Sequence, residues 1–365
     1  MQISDRLIDL AIQVQQVPSP TFGERTRAEF IKTLFEQQSE VLSDISFDST
    51  GNVYAKYSGK NTQSAILVSA HLDTVFPFET PLDIKREKNR IYGPGLGDNS
   101  LSVAALLCLV EQLKANQVTP ASDIWLVANT CEEGLGDLAG MKAVVERFKN
   151  QVMAYIVLEG MGYDHIIHHA IGVLRYRVTI KTQGGHSWAD FGSPSAIHEM
   201  SKLVAEISKL EPPSEPKTTF NIGKFSGGTT INTIASEASI DLDMRSASQA
   251  ELEILVNRIN AILNDFRKPG CIVEVKIIGE RPSGYLALDH PLAQIVKTTL
   301  TESGVKPLFL GGSTDANIPL SKGYPSLVMG ITRGGGAHTV NEYIETDNIN
   351  LGFGNIYLAI RKLAG

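Results

Sequence analysis

Four short apolar runs constrain the fold of this chain more than any other feature. They are AILVSA (65–70), IWLVAN (124–129), AYIVL (154–158) and SLVMGI (326–331). The runs are rich in Val, Ile and Leu and do not alternate with polar residues, a pattern typical of parallel strands that are covered on both faces. Segments of helical character lie between them, at 100–117 and 137–149. This alternation predicts an α/β domain with a mostly parallel sheet flanked by helices.

The segment 173–282 has a different pattern. Its strands alternate polar and apolar residues, as in VLRYRVTIKTQ (173–183), which is typical of a strand with one exposed face. Strands and helices follow in the order β-α-β-β-α-β, which is the ferredoxin-like arrangement. A chain of 365 residues also exceeds what one average core holds. We therefore expect a ferredoxin-like α+β domain at 173–282, inserted in a domain made of 1–172 and 283–365.

Charge and cysteine content argue against several classes of protein. The net charge is −7, and no run of Lys or Arg suits phosphate binding, so we expect no nucleic-acid partner. The N-terminal segment MQISDRLIDLAIQVQQ predicts an amphipathic helix and not a signal peptide. The longest apolar run, 103–110, is too short to cross a bilayer. With three scattered cysteines and no disulfide pattern, the sequence predicts a cytoplasmic protein without a membrane partner.

A candidate metal ligand follows each of the four apolar runs, and a fifth ends the loop GPGLGD (93–98). In chain order these candidates are His71, Asp98, Glu133, Glu159 and His338. Ligands of open α/β sheets bind at the carboxyl ends of the strands, so we expect these side chains to meet there. Two imidazoles and three carboxylates suit zinc, and one carboxylate can bridge two ions. The sequence therefore predicts a centre for two divalent ions.

The adjacent acids Glu132 and Glu133 have no Lys or Arg within five residues on either side. Such a pair at the end of a buried strand is unfavourable without positive charge, which bound dications supply. With Glu133 as a ligand, Glu132 can serve as a general base that accepts a proton from water and returns it to a leaving amine. Asp73, two residues after His71, can accept the free N–H of that imidazole and fix its tautomer.

Six motifs, in this order, resemble the M20 metallopeptidase family. They are HLDTV (71–75), GLGDNS (95–100), CEEGLG (131–136), LEG (158–160), GGHS (184–187) and GGGAHTVNEYI (334–344). The family includes carboxypeptidase G2, peptidase T and acetylornithine deacetylase, and the resemblance covers nearly the whole chain. It implies a zinc-peptidase-like sheet domain, with an inserted domain that serves as a lid and as the dimerisation surface of a homodimer.

The resemblance also implies a role for each candidate residue. His71 and Glu159 would bind one zinc ion, Glu133 and His338 would bind the other, and Asp98 would bridge them. Co²⁺ or Mn²⁺ are alternatives to zinc. Asp73 would orient His71, Glu132 would be the catalytic base, and the peptide bond between Asp98 and Asn99 would be cis.

Three residues of the inserted domain are implied to act on substrate. His186 would reach the active site of the partner subunit and stabilise the oxyanion. Asn232 and Arg245 match positions that contact substrate in relatives, and the Arg245 guanidinium suits a terminal carboxylate. Taken alone, these three residues also fit simpler interpretations, as turn residues and a solvated strand end.

The other histidines are not expected to bind metal. His198 lies on a predicted helix and His290 precedes Pro291, and neither has a partner at ligand spacing. His165, His168 and His169 follow Glu159 in what the sequence predicts to be a short connecting hairpin, with surface or packing roles. The glycines of GPGLGD are not spaced as in a dinucleotide-binding loop. Neither H-E-x-x-H nor G-x-S-x-G occurs, so a single-zinc helix motif and a serine hydrolase elbow are both unsupported.

The predicted function is that of a metal-dependent hydrolase that cleaves an amide bond of a short peptide or an N-acyl amino acid. A water bridging the two ions would be activated by Glu132. Glu159, where some relatives have Asp, favours substrates with a free carboxylate. Two alternatives stay open: a deacylase or N-carbamoyl amidohydrolase on the same fold, and a non-catalytic binding relative. The intact base and ligand set argue against the second.

Overall fold

The computed structural model describes residues 3–365. The α-helices are α1 (Ile3–Gln15), α2 (Arg25–Glu36), α3 (Leu101–Ala115), α4 (Ala139–Phe148), α5 (Ala196–Ile207), α6 (Gln249–Asp265), α7 (Pro291–Glu302), α8 (Asn317–Ser321) and α9 (Ile349–Ala364). A π-helical turn covers Leu96–Ser100, and 3₁₀ turns cover Gly134–Gly136 and Lys149–Gln151.

The strands are β1 (Leu42–Phe47), β2 (Val53–Tyr57), β3 (Asn61–His71), β4 (Lys85–Glu87), β5 (Arg90–Tyr92), β6 (Ser122–Asn129), β7 (Ala154–Met161), β8 (His165–Ala170), β9 (Gly172–Lys181), β10 (Gly185–His186), β11 (Thr218–Gly227), β12 (Thr233–Ile234), β13 (Glu237–Ser246), β14 (Ile272–Arg281), β15 (Gly284–Tyr285), β16 (Leu308–Gly312), β17 (Ser326–Thr332), β18 (Gly334–Gly335) and β19 (Tyr343–Glu345).

The chain divides into two compact units. One comprises Met1–Ala170 and Gly284–Gly365, and the other comprises Ile171–Ser283. Each unit has its own cluster of buried apolar side chains. These limits differ by one or two residues from the expected domains, 1–172 with 283–365 and 173–282. That these two units are the two predicted domains stays a prediction.

The large sheet of the first unit has the strand order β1-β2-β6-β3-β7-β17-β8-β15, and β16 also pairs with β8. The central strands β6, β3, β7 and β17 run parallel to one another. The four apolar runs predicted to be parallel strands are these four. Antiparallel strands lie at both margins. The predicted α/β class, with a mainly parallel sheet flanked by helices, is therefore confirmed.

Helices cover the central strands because those strands are apolar on both faces. Helix α3, in which residues 101–110 are all buried, packs against β3 and β7. Helix α9 packs against β17. A helix that is apolar all round belongs in the interior, as α3 does. Within residues 3–365, no helix has both the length and the apolar character needed to span a membrane.

The connection predicted at His165, His168 and His169 is wrong in one respect. These residues lie on β8, which does not form a hairpin with β7, because β17 lies between the two strands. The chain returns to fill that space only after the second unit has been completed. A local pattern cannot reveal such an insertion, since β17 comes from residues 326–332.

A small antiparallel sheet carries two of the candidate loops. Its strand order is β18-β19-β5-β4. His338 lies in the loop between β18 and β19, and Asp98 follows β5. Since β19 pairs with β5, this sheet brings the two loops to neighbouring positions although they are far apart in sequence.

The second unit contains a four-stranded antiparallel sheet in the order β11-β13-β9-β14. Helices α5 and α6 pack on it and bury its alternating apolar residues. The succession β9, α5, β11, β13, α6, β14 has the β-α-β-β-α-β order of a ferredoxin-like unit. The short strands β10 and β12 pair with each other, so that His186 lies opposite Thr233.

Candidate metal centre

The carboxyl ends of the parallel strands position the candidate ligands. His71 is the last residue of β3 and aligns with Asn129, the last residue of β6, three positions before Glu132. Glu159 lies on β7 opposite Gly330 of β17. Parallel strands end at the same edge of a sheet, so these residues share one edge.

Asp98 lies between the two candidate imidazoles. Its Oδ1 is 3.1 Å from His71 Nε2, and its Oδ2 is 3.1 Å from His338 Nε2. His338 Nε2 is also 3.2 Å from Glu133 Oε1, and His71 Nε2 is 3.8 Å from Glu159 Oε2. The structure therefore brings all five predicted ligands together. Ligand atoms of His71, Asp98 and Glu133 all lie within 4.8 Å of one another.

The donors of this cluster fit divalent metal ions. Imidazole nitrogen and carboxylate oxygen are the ligands that Zn²⁺ takes in catalytic sites. Asp98 presents one oxygen to each imidazole, which is the arrangement that a bridging carboxylate requires. The peptide bond between Asp98 and Asn99 is cis. The predicted helix at 100–117 begins at Leu101, after a turn in which Asp98 and Asn99 have non-helical backbone angles.

The acids and imidazoles shift each other's proton affinity. Hydrogen bonds to Asp98 and Glu133 raise the pKa of His338 to about 10. Burial alone would lower the pKa of His71, but Asp73, Asp98 and Glu159 raise it well above its usual value. Burial would raise the pKa of Asp98, yet the two imidazoles hold it below the usual carboxyl range. The cluster therefore favours bound positive charge, which protons and dications both provide.

Side-chain oxygens anchor the turn that carries the two adjacent acids. Four consecutive backbone N–H groups donate to them: Thr130 to Asn52 Oδ1 (2.9 Å), Cys131 to Glu24 Oε1 (3.1 Å), Glu132 to Asp73 Oδ1 (2.9 Å) and Glu133 to Asp73 Oδ2 (2.9 Å). Cys131 has a φ of 58°, in the left-handed region that non-glycine residues seldom adopt. The anchored turn fixes the backbone of Glu132 and Glu133, and both residues are buried.

Asp73 contacts His71 in a different way from the one expected. His71 Nδ1 lies 3.0 Å from the backbone carbonyl oxygen of Asp73 and 3.7 Å from its Oδ1. The carboxylate accepts instead from the turn and from Thr21 Oγ1, at 2.9 Å. Burial would raise the pKa of Asp73, but His71 and these N–H groups lower it. Asp73 thus contacts the imidazole through its main chain and the acidic turn through its side chain.

Close packing holds the Asp98 loop against β7. Asn99 Nδ2 donates to the carbonyl oxygen of Leu158, at 2.9 Å. A Cβ atom on Gly160 would lie only 2.0 Å from the carbonyl oxygen of Gly97. Only glycine fits at position 160, because any side chain there would push the loop away from the strand. In the motif LEG, the candidate ligand Glu159 is thus followed directly by Gly160, whose lack of a side chain leaves room for the Asp98 loop.

Three residues that hold these loops, Glu24, Asn52 and Glu342, were not predicted from the sequence, and neither was the buried pair of Asn129 and Asp315. Asn129 Nδ2 donates to Asp315 Oδ2 at 2.7 Å, and burial raises the pKa of Asp315 to about 7. Glu342 offers a signal, since it follows His338 by four residues in a quoted motif. Glu24 and Asn52 offer none, because their partners lie far away in the chain.

The second unit holds the other three candidates. Residues His186 and Asn232 are neighbours, since Ser187 N donates to the carbonyl oxygen of Asn232 at 3.1 Å. The Nδ1 atom of His186 accepts from the backbone N–H groups of Trp188 and Ala189, at 3.2 and 3.3 Å. Arg245 lies on β13, where its Nε donates to Asp243 Oδ2 at 2.6 Å.

Comparison with known proteins identifies the family. The family model for peptidase family M20/M25/M40 matches residues 67–362. Succinyl-diaminopimelate desuccinylase of Nitrosospira multiformis is 25% identical over 340 residues, which cover 87% of this chain and 88% of that protein.

Two solved structures share the fold over almost their whole length. A tripeptidase from Staphylococcus aureus has a TM-score of 0.83 and 22% identity, and covers 99% of this chain and 98% of its own. The YXEP protein of Bacillus subtilis, a dinuclear metal-binding peptidase of the M20 family, has a TM-score of 0.71 and 15% identity, with the same coverage. With its motifs, its fold and the matching family model over most of its length, the chain belongs to peptidase family M20/M25/M40.

Proposed function

We propose that this protein is a metal-dependent hydrolase that cleaves the amide bond of a short peptide or an N-acyl amino acid. The observation that carries the proposal is the position of Asp98, 3.1 Å from both His71 and His338, with Glu133 and Glu159 beside them. Membership of a peptidase family supports amide hydrolysis. The relative named as a desuccinylase supports an N-acyl substrate.

Two divalent ions complete the proposed site, with zinc as the expected metal and Co²⁺ or Mn²⁺ as alternatives. His71 and Glu159 would hold one ion, Glu133 and His338 the other, and Asp98 both. When bound, such ions polarise a carbonyl group and lower the pKa of water. The mixed nitrogen and oxygen donors and the bridging position of Asp98 support this assignment.

Glu132 moves the proton in the proposed reaction. Its carboxylate takes a proton from the attacking water, and the water oxygen forms a bond to the carbonyl carbon. The carbon–nitrogen bond then breaks, and Glu132 delivers the proton to the departing amine nitrogen. The anchoring of its backbone N–H by Asp73, at 2.9 Å, supports this role, because a general base must be held in place.

His186 is proposed to stabilise the oxyanion of the tetrahedral intermediate. Because its Nδ1 accepts two backbone N–H groups, the neutral imidazole carries its hydrogen on Nε2. An Nε2–H group is a hydrogen-bond donor, as an oxyanion requires. Asn232 and Arg245 are proposed to contact substrate. For Arg245 this means that a substrate carboxylate competes with Asp243 for the guanidinium group.

A homodimer through the second unit is also proposed, with His186 acting in the active site of the partner subunit. Strands β11 and β14 are the edges of the four-stranded sheet, and an edge strand can pair with another chain. Residues 223–233, from the end of β11 into β12, are all exposed, which leaves their surface available to a partner. A cytoplasmic location stays a prediction.

A substrate panel combined with metal analysis tests the proposed function. The purified protein should contain two divalent ions per chain and hydrolyse dipeptides, N-acyl amino acids or both. Hydrolysis of dipeptides alone would identify a peptidase, and hydrolysis of N-acetyl or N-succinyl amino acids alone would identify a deacylase. Turnover of N-carbamoyl amino acids alone would identify the amidohydrolase alternative. A fully metal-loaded protein that turns over none of these would be a binding protein.

A further inference from the structure

Glu342 holds the loop that carries Asp98. Its side chain is completely buried, and its carboxylate accepts three backbone N–H groups of that loop. Oε1 accepts from Gly97 at 2.7 Å and from Asp98 at 2.9 Å, and Oε2 accepts from Gly95 at 3.0 Å. A buried carboxylate is stable only when its oxygens are well hydrogen-bonded, and here backbone N–H groups of a single loop provide the bonds.

The main chain of Glu342 belongs to the other ligand loop. Its N–H donates to the carbonyl oxygen of Thr339, at 3.1 Å, within the loop that carries His338. Its carbonyl oxygen accepts from Gly93 N, at 2.9 Å. One residue therefore closes the His338 loop with its backbone and fixes the Asp98 loop with its side chain.

The two loops meet where Asp98 and His338 face each other. Asp98 Oδ2 lies 3.1 Å from His338 Nε2, while the backbone N–H of Asp98 is bonded to Glu342. The separation of these two ligands is therefore set by a short covalent and hydrogen-bonded path through Glu342. Glu345, at the end of the adjoining strand β19, forms no such connection, since its carboxylate pairs with Arg90 at 3.0 Å.

We propose that Glu342 is a positioning residue of the metal centre, which fixes the distance between the bridging ligand Asp98 and the terminal ligand His338. The inference rests on the proposed dinuclear site. It predicts that Glu342 controls how tightly the ion between Asp98 and His338 is bound, without touching metal or substrate.

Cobalt titration of Glu342→Gln tests the inference, with Glu345→Gln as the matched control. Glutamine has the shape of glutamate, but its NH₂ group cannot accept a hydrogen bond, so it faces at least one backbone N–H of the Asp98 loop. Chelator-treated protein is titrated with Co²⁺, and binding is followed calorimetrically and by the visible spectrum of the bound ion.

We expect Glu342→Gln to bind one of the two Co²⁺ ions about 10–100-fold less tightly and with an altered spectrum, as for other residues that orient metal ligands. Glu345→Gln should bind both ions as the wild type does. A Glu342→Gln protein that melts at a lower temperature but keeps wild-type affinity and spectrum would overturn the inference, because Glu342 would then only support the fold.

If Glu342→Gln does not fold, a second variant tests the same inference. Glu342→Asp keeps both acceptor oxygens but shortens their reach by one methylene group. It should fold and still lose affinity for one of the two Co²⁺ ions, and wild-type affinity for both would overturn the inference. Failure of the proposed function would look different, since wild-type protein would then bind cobalt without hydrolysing any substrate of the panel.

Discussion

Asp73 Oδ1 accepts the backbone N–H of Glu132 at 2.9 Å, so one acid determines where another can place its carboxylate. In Asp73→Asn, the side-chain NH₂ group would face the backbone N–H of Glu132 or Glu133, and one of these hydrogen bonds would be lost. We expect kcat to fall about 10–100-fold while the protein stays folded. Steady-state kinetics with metal analysis checks this. Thr21→Val, which removes only the bond from Thr21 to Asp73, should keep kcat within a few-fold.

Neutral substitutions of the adjacent acids Glu132 and Glu133 should have different effects, the first on turnover and the second on metal affinity. Glu132→Gln should keep both ions and lose at least about 10²–10⁴-fold in kcat, because the same group serves both proton transfers of the proposed reaction. Glu133→Gln should instead lose affinity for the ion that it shares with His338. Metal analysis and kinetics on both variants provide the check. Near wild-type turnover by Glu132→Gln would remove it from the mechanism.

Metal binding should release protons. Since Asp98 and Glu133 raise the pKa of His338 to about 10, and the pKa of His71 is also raised, we expect both imidazoles to bind a proton at pH 7 once metal has been removed. Ligation requires the neutral ring, so metal affinity should increase as the pH rises toward 10 and decrease toward acid. Calorimetry of Co²⁺ binding in buffers of different ionisation enthalpy measures the number of protons. His338→Gln should release fewer, and heats that are equal in all buffers would contradict this expectation.

A methyl group at position 160 should disturb the candidate metal centre by displacing the loop that carries Asp98. In Gly160→Ala the new Cβ would lie 2.0 Å from the carbonyl oxygen of Gly97, so the Asp98 loop must move. We expect a loss of about 1–3 kcal/mol in the free energy of unfolding, together with weaker Co²⁺ binding. Gly354→Ala is the control, because its Cβ would meet no atom within 4 Å outside its own helix. This substitution should raise the free energy of unfolding by about 0.4–1 kcal/mol. Urea denaturation with chelator, and cobalt titration, separate the two effects.

Mixed dimers should reveal whether His186 acts across a subunit boundary. Glu132→Gln and His186→Ala subunits with different affinity tags are co-expressed, and the heterodimer is isolated. If His186 acts in the partner's site, the His186→Ala subunit keeps its base and receives the missing histidine. The heterodimer should then have about half the activity of a wild-type dimer. An inactive heterodimer would show that the histidine acts within its own chain, and failure to isolate one would argue against dimerisation.

The central sheet and the ligand cluster could be predicted because both depend on local patterns. Runs such as 65–70 and 154–158 are apolar on both faces, which is typical of a covered parallel strand. A ligand that directly follows such a run, such as His71, must lie at the carboxyl edge of the sheet. The shared edge then brings residues from distant parts of the chain together.

The residues that anchor the ligand loops could not be predicted in this way. Glu24 and Asn52 are ordinary polar residues in the sequence, and their function depends on backbone N–H groups of residues 130 and 131. Backbone donors leave no trace in the amino-acid sequence, because every residue except proline has one. For the same reason, the bonds from Glu342 to the Asp98 loop became visible only in the structure. The position of β17 between β7 and β8 did so as well, because β17 comes from a distant part of the chain.

The spread of the ligands along the chain, from position 71 to position 338, has a consequence for assembly. No two of them lie within a short peptide, so a nascent or denatured polypeptide does not bring these five residues together, and loading of the proposed centre must follow folding. Each proposed ion would then bind, and stabilise, the native state alone. At a free ion concentration of 1,000 times Kd, this adds about 4 kcal/mol of stability. Metal supply in the cell would thus determine how long the protein survives as well as whether it works.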